Sequence, residues 1–157
     1  MTLMPHLLSR RAALGGLCAL ALTSACGGPK GPGSVDLAIS GQAGANPGPD
    51  GTDRPLTLQI LQLRSTAAFD AADPRALQEP AAALGADLVK AETVALASGG
   101  TASKTLVLDP ATTAVAVVGG YRELSGKTVR ASVPVSPTGK AGFTVTAGPG
   151  GVTMAPA

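Results

Sequence analysis

Leu56–Arg64 reads LTLQILQLR, and its apolar residues change phase part-way along. Leu56, Leu58 and Ile60 share one face of an extended chain, while Leu61 and Leu63 lie on the other, because successive side chains of a strand alternate. A strand with such a slip carries a bulge near Ile60-Leu61 or is buried on both faces there. Upstream, Val35–Ser40 (VDLAIS) alternates cleanly, with Val35, Leu37 and Ile39 on one side, and reads as a first strand. The segment between them, Gly41–Pro55 (GQAGANPGPDGTDRP), is broken by glycines and prolines and forms a long loop.

Downstream, Thr66–Leu84 is rich in alanine and contains Phe69, Leu77 and Leu84. Pro74 and Pro80 interrupt it, and proline is poorly tolerated past a helix's first turn. Two short helical pieces are therefore expected, with Asp73 capping the second. Strand-like runs resume at Val89–Ala97, Lys104–Asp109, Thr112–Tyr121, Thr128–Val135, Gly142–Ala147 and Gly151–Met154. Gly99-Gly100, Asp109-Pro110, Ser125-Gly126, Pro137-Thr138-Gly139 and Gly148-Pro149-Gly150 supply the turns. Short strands at regular spacing make the chain mainly β: one β-sandwich of about eight strands with a short helical insertion.

The N-terminus follows a different grammar. Arg10 and Arg11 precede an uncharged run, Ala12–Leu22, that ends in Leu22-Thr23-Ser24-Ala25-Cys26. A basic segment, an apolar stretch of about ten residues and small residues after it make a secretory signal. Crossing the hydrocarbon takes about 20 apolar residues, so this run is not a spanning helix. Ser24-Ala25-Cys26 resembles a bacterial lipobox, in which the cysteine is acylated and becomes the new N-terminus, although Thr23 stands where leucine is usual. Residues 1–25 read as a lipoprotein signal peptide, 26–34 as the lipidated cysteine and a flexible tether, and 35–157 as the β-sandwich domain. The tether is Gly/Pro-rich and spans about 25 Å at roughly 3.3 Å per residue. Ser9-Arg10-Arg11 also fits a twin-arginine signal, which leaves the export route open.

Removing the signal simplifies the chemistry. Cys18 and the single histidine, His6, leave with it, and Cys26 remains as the only cysteine, so no internal disulfide can form. The formal charge of +2 belongs to the signal arginines, and the remaining domain is balanced, which gives no reason to expect nucleic acid. Without an imidazole or a free thiol there is no triad, no thiol nucleophile and no histidine metal ligand. Asp50 and Asp53 are the nearest carboxylate pair, but they sit in a Gly/Pro loop where turn chemistry accounts for them. Asn46, Asp50 and Asp53 carry oxygens suited to calcium, yet their spacing does not match a calcium-binding loop. Phe69, Tyr121 and Phe143 are the only aromatics, too few for a sugar- or base-stacking platform. No catalytic residue, metal or cofactor is assigned.

Several landmarks in order resemble the outer-membrane lipoprotein family of the type VI secretion system, TssJ/SciN. They are Cys26, the first strand, Asn46-Pro47, Arg54-Pro55 leading into Leu56–Arg64, and Phe69, Leu77, Leu84-Gly85 and Asp87-Leu88 in the insert. Glu92, Gly99-Gly100, Val115–Arg122 (VAVVGGYR) and Lys127-Thr128-Val129-Arg130 follow, with Val129 where the family normally carries tryptophan. The resemblance implies a transthyretin-like sandwich tethered to the periplasmic face of the outer membrane. Its partner would be the periplasmic C-terminal domain of the inner-membrane component TssM, and it would have no small-molecule substrate. Gly27 after the acylated cysteine is not the aspartate that signals inner-membrane retention. The Gly41–Pro55 loop exceeds what a hairpin requires, and long loops on rigid sheets carry binding residues. Asn46, Asp50, Asp53 and Arg54 are therefore the partner-binding candidates. Little in the loop is apolar, so its removal is expected to spare stability. The alternative is a periplasmic lipoprotein whose sandwich binds a ligand or carbohydrate.

Overall fold

A computed structural model describes residues 28–157. The signal segment with His6 and Cys18, the candidate lipidation site Cys26 and its neighbour Gly27 lie outside the described residues. The described residues form eight strands: β1 (Ser34–Gly41), β2 (Leu56–Leu63), β3 (Leu88–Leu96), β4 (Thr101–Val107), β5 (Ala114–Gly119), β6 (Arg130–Pro134), β7 (Lys140–Gly148) and β8 (Gly151–Pro156). They make two four-stranded sheets, ordered β4-β1-β7-β8 and β3-β2-β5-β6. Within the two sheets all strand pairings are antiparallel except β1 with β7, which run parallel with Ser34 opposite Lys140.

The phase slip in β2 records two layers. Leu56, Leu58 and Ile60 pack between the sheets with Val35, Leu37, Ile39, Val115 and Val117. Leu61 and Leu63 face outward with Ala114, Ala116 and Val118, under Phe69, Leu77 and Leu84 of the insert. The ladder to β5 runs unbroken, so β2 itself is regular and buried on both faces. A bulge does exist, but it lies in the pairing with β3, which shifts between Gln62 and Leu63 and passes over Val89. Truncating Phe69 to alanine would cost about 3–5 kcal/mol, the usual figure for a buried aromatic.

The insert is more fragmented than expected. It holds two helices of one turn each, α1 (Ala67–Ala71) and α2 (Pro80–Leu84), separated by a 3-10 turn at Ala76–Gln78 and followed by another at Gly85–Asp87. Asp73 accepts the N–H of Arg75 at 2.8 Å and so opens the first 3-10 turn rather than capping an α-helix. Pro80 takes the first position of α2, where its missing N–H costs nothing. Side chains from the sheet hold the insert. Arg130 donates to the carbonyls of Phe69, Asp70 and Ala72 at 2.7–2.8 Å, satisfying oxygens at the C-terminus of α1, and lies over the Phe69 ring. Gln59 donates to the carbonyl of Gln78 at 2.8 Å, and within the insert Asp87 accepts the N–H of Ala68 at 3.3 Å.

Both flanks of the sandwich are closed. On one, Glu92 of β3 bridges Lys104 of β4 at 2.6 Å and Lys90 at 3.0 Å, which lowers the Glu92 carboxyl below its ordinary range. Lysine and inward-facing charge on such edges discourage strand addition. On the other, Thr128 pairs in parallel with Gly151, and a Cβ at Gly151 would sit 2.1 Å from the Thr128 oxygen. Only glycine permits that approach. Pro134 and Pro156 lie at the ends of β6 and β8.

Candidate functional site

Strand directions sort the connections into two ends. Residues 42–55, 97–100, 120–129 and 149–150 gather at one, called here the loop end. The entry of the chain at residues 28–33, the 108–113 connection and the 135–139 turn gather at the other, the tether end.

The 42–55 loop is a folded unit. Pro47 pairs with Asp53, the N–H of Gly48 donates to Thr52, and the N–H of Arg54 donates to Asn46. The N–H of Gly51 closes a turn onto the Gly48 carbonyl at 3.0 Å, with Pro49 pre-setting the backbone angle. The result is a short hairpin whose tip is Gly48–Gly51. Asn46 is buried, only 7% exposed, and both ends of its amide are used. Its Nδ2 donates to Pro55 at 3.1 Å, and its Oδ1 accepts the N–H of Arg122 at 2.8 Å. Asp53 accepts the N–H groups of Gly44 and Asn46, each at 2.8 Å, and the hydroxyl of Ser98. The Ser98 bond, then the Asn46 N–H, hold its carboxyl below the usual carboxylate range. Lys127 donates to the carbonyls of Ala45 and Pro149 and lies 5.1 Å from the Tyr121 ring centre. Burial pushes the Tyr121 phenol up to about 12, and its hydroxyl finds no good hydrogen-bond partner.

The four candidate residues therefore divide. Asn46 and Asp53 shape the loop from within, whereas Asp50 stands exposed at its tip and the exposed Arg54 reaches it from the hairpin's base through an ion pair of 2.9 Å. The N–H of Thr52 is the main influence lowering the Asp50 carboxyl. Arg122 and Glu123 are also exposed at this end. Excision of the loop is not innocuous: Ala45 belongs to the core, and the Asn46 amide satisfies a backbone N–H outside the loop. The sequence reading missed Ser98, Tyr121, Arg122 and Lys127 as members of this cluster. Their signal was topological, since strand direction alone brings the ends of β3 and β5 to the loop.

Among the described residues no group of three His, Cys, Asp or Glu converges as for a metal ion. The Ser98 hydroxyl meets the Asp53 carboxylate, which the N–H groups of Gly44 and Asn46 also hold. What the loop end offers is a fixed surface of backbone turns with charges of both signs.

A family model described as the type VI secretion lipoprotein (T6SS-SciN; VasD, EvfM, TssJ) matches residues 33–149. Among solved structures, the T6SS lipoprotein TssJ1 from Pseudomonas aeruginosa is 27% identical, with 80% of this chain and 97% of that chain covered and a TM-score of 0.74. Serratia marcescens Lip, a membrane-bound component of the type VI secretion system, is 23% identical over 78% of this chain and 96% of that one, with a TM-score of 0.70. A chain in a structure described as the T6SS protein TssM C-terminal domain from EAEC matches at 23% identity and a TM-score of 0.62, with 79% of this chain and 98% of that chain covered. No curated protein matches by sequence.

Proposed function

The chain belongs to the type VI secretion lipoprotein family through residues 33–149, and from that membership we propose that it is a lipid-anchored scaffold of the type VI secretion membrane complex. In this reading residues 1–25 are removed as a signal peptide and Cys26 is acylated. Residues 26–34 join the lipid to the sandwich at 35–157, on the periplasmic face of the outer membrane. The loop end grips the periplasmic C-terminal domain of TssM, with Asp50 and Arg54 in the contact and Asn46 and Asp53 holding the loop in shape. The reading assigns no reaction, cofactor or small-molecule substrate.

The observation that carries the contact is the construction of the 42–55 hairpin. Its interior hydrogen bonds fix the backbone while Asp50 and Arg54 remain exposed. A pre-shaped loop loses little freedom on binding, so the gain from each contact is retained. The likeness in fold to a chain from a structure named for the TssM C-terminal domain points to the same partner class.

Calorimetric titration of the mature chain with the TssM periplasmic domain tests this. Asp50→Lys, which sets two cations side by side at the tip, should weaken binding at least about tenfold, or about 1.4 kcal/mol. Unchanged affinity moves the interface off this loop. For the anchor, Cys26→Ser should release the protein from the membrane fraction and end incorporation of labelled fatty acid.

A further inference from the structure

We infer that the tether end of the sandwich is itself a membrane-contact surface, laid against an anionic phospholipid headgroup layer. The inference rests on Cys26 being the anchor for its orientation, and on the folded chain for its chemistry.

The tether is fixed at its inner end. Gly33 is buried and held on both sides: its N–H donates to Pro137 at 2.7 Å and its carbonyl accepts the N–H of Leu108 at 2.8 Å. The N–H of Ser34 reaches the Gly139 carbonyl at 2.9 Å. A Cβ on Gly33 would lie 2.4 Å from the Gly139 oxygen, so this lock requires glycine. Lys30, Gly31 and Pro32 then line a cleft of about 410 Å³ with Pro110, Pro137 and Thr138. Gly33 is therefore the fixed point, and the seven residue steps from Cys26 to it span at most about 25 Å. An acylated Cys26 would hold this end within that distance of the lipid.

The surface presented there has the chemistry of an interface binder. The register across β4, β1 and β7 sets Val107, Ser34 and Lys140 in one row at the rim. Val107 is 61% exposed, the one large hydrophobic side chain so exposed among the described residues. Pro110 and Pro137 lie at the same end, and Lys30 and Lys140 add exposed positive charge. Arg64, at the end of β2, is exposed as well. Three carboxylates share this end: Asp109, turned to the N–H of Ala111; Asp36, bonded to the Thr105 hydroxyl; and Asp87 beside Arg64, turned to the N–H of Ala68. Apolar groups at the headgroup boundary flanked by lysine match a surface-lying, non-spanning contact.

The test uses the mature chain with Cys26→Ser, which carries no acyl group, and sedimentation with vesicles of equal phosphatidylethanolamine and phosphatidylglycerol. Partitioning should be measurable, should fall with added salt, and should fall at least tenfold in Lys30→Glu/Lys140→Glu, since each lysine contributes on the order of fivefold at an anionic surface. Val107→Asp should weaken it further, while Asp50→Lys at the loop end should not. Absence of vesicle binding, or equal binding by the lysine variants, overturns the proposal. So does a lipid-free dimer that Val107→Asp dissolves, because the surface then belongs to a second copy. Failure of the anchor reading has its own signature, an unmodified Cys26 in the mass spectrum of the wild-type protein, and leaves the vesicle result standing on its own.

Discussion

The two ends of the sandwich are closed by opposite means. At the tether end a buried neutral side chain does it: Gln62, 2% exposed, donates to Val107 at 3.0 Å and accepts from the N–H of Asp109 and the hydroxyl of Thr112. At the loop end the work falls to Asp53, Lys127 and Asn46, of which two are charged and only Asn46 is buried. Gln62 faces the space between the sheets, where its neighbours in β2 are leucine and isoleucine, and both ends of its amide are used. A non-titrating buried network makes an end insensitive to solution conditions, whereas charged groups near the surface make one that responds to them. The difference teaches which end can be tuned without loss of the fold.

The largest expected effect tests the buried side of that comparison. Gln62→Leu keeps the bulk but strands the Thr112 hydroxyl and the Asp109 N–H, at a cost of about 3 kcal/mol. It should lower the urea midpoint without changing the slope, and leave partner affinity intact. A wild-type midpoint would show that water replaces the amide and that this end is not dry.

Next in size is Asn46→Ala. It removes the partner of the Arg122 N–H and should cost about 1–2 kcal/mol, together with some partner affinity as the hairpin loosens. Full stability would mean that the loop is independent of the sandwich.

A smaller effect separates the ends by pH. Because the folded Asp53 carboxyl is lowered, its contribution is complete above about pH 4, near the unfolded value. It is lost as the pH falls through the lower folded value. Amide exchange should therefore show Gly44 and Asn46 losing protection in acid while Asp109, bonded to Gln62, keeps it. Simultaneous loss at both ends would erase the distinction.

The smallest change in stability comes from Asp50→Asn. Its ion pair with Arg54 is exposed on both sides, and such pairs contribute little. The melting temperature should stay put while partner affinity falls. The reverse outcome would make the tip structural.

How much of this was legible depended on what each residue answers to. Val35, Leu37 and Ile39 alternate because one layer buries them, and the slip at Ile60-Leu61 survives in the sequence because two layers bury β2. Side-chain period reports burial, so these readings held. Asn46 looked like an exposed loop residue, since asparagine serves turns and buried staples equally well. Its partner Arg122 lies 76 positions away and leaves no local trace. Gly33 read as part of a mobile tether for the same reason: the Gly139 backbone that demands glycine there is remote in the chain.

The parallel pairing of β1 with β7 sets a timetable. Ser34 and Lys140 are partners although about a hundred residues separate them. Pairing so distant in sequence forms late, because the intervening chain must first be closed into a loop. If the chain is delivered across a membrane N-terminus first, β1 emerges early and waits, paired at most with β4, until β7 arrives. For that interval the residues just ahead of Gly33 are held by neither the 135–139 turn nor the finished sheet. If Cys26 is acylated as proposed, that step can precede the closing of the lock on Gly33 for as long as the C-terminal third is in transit.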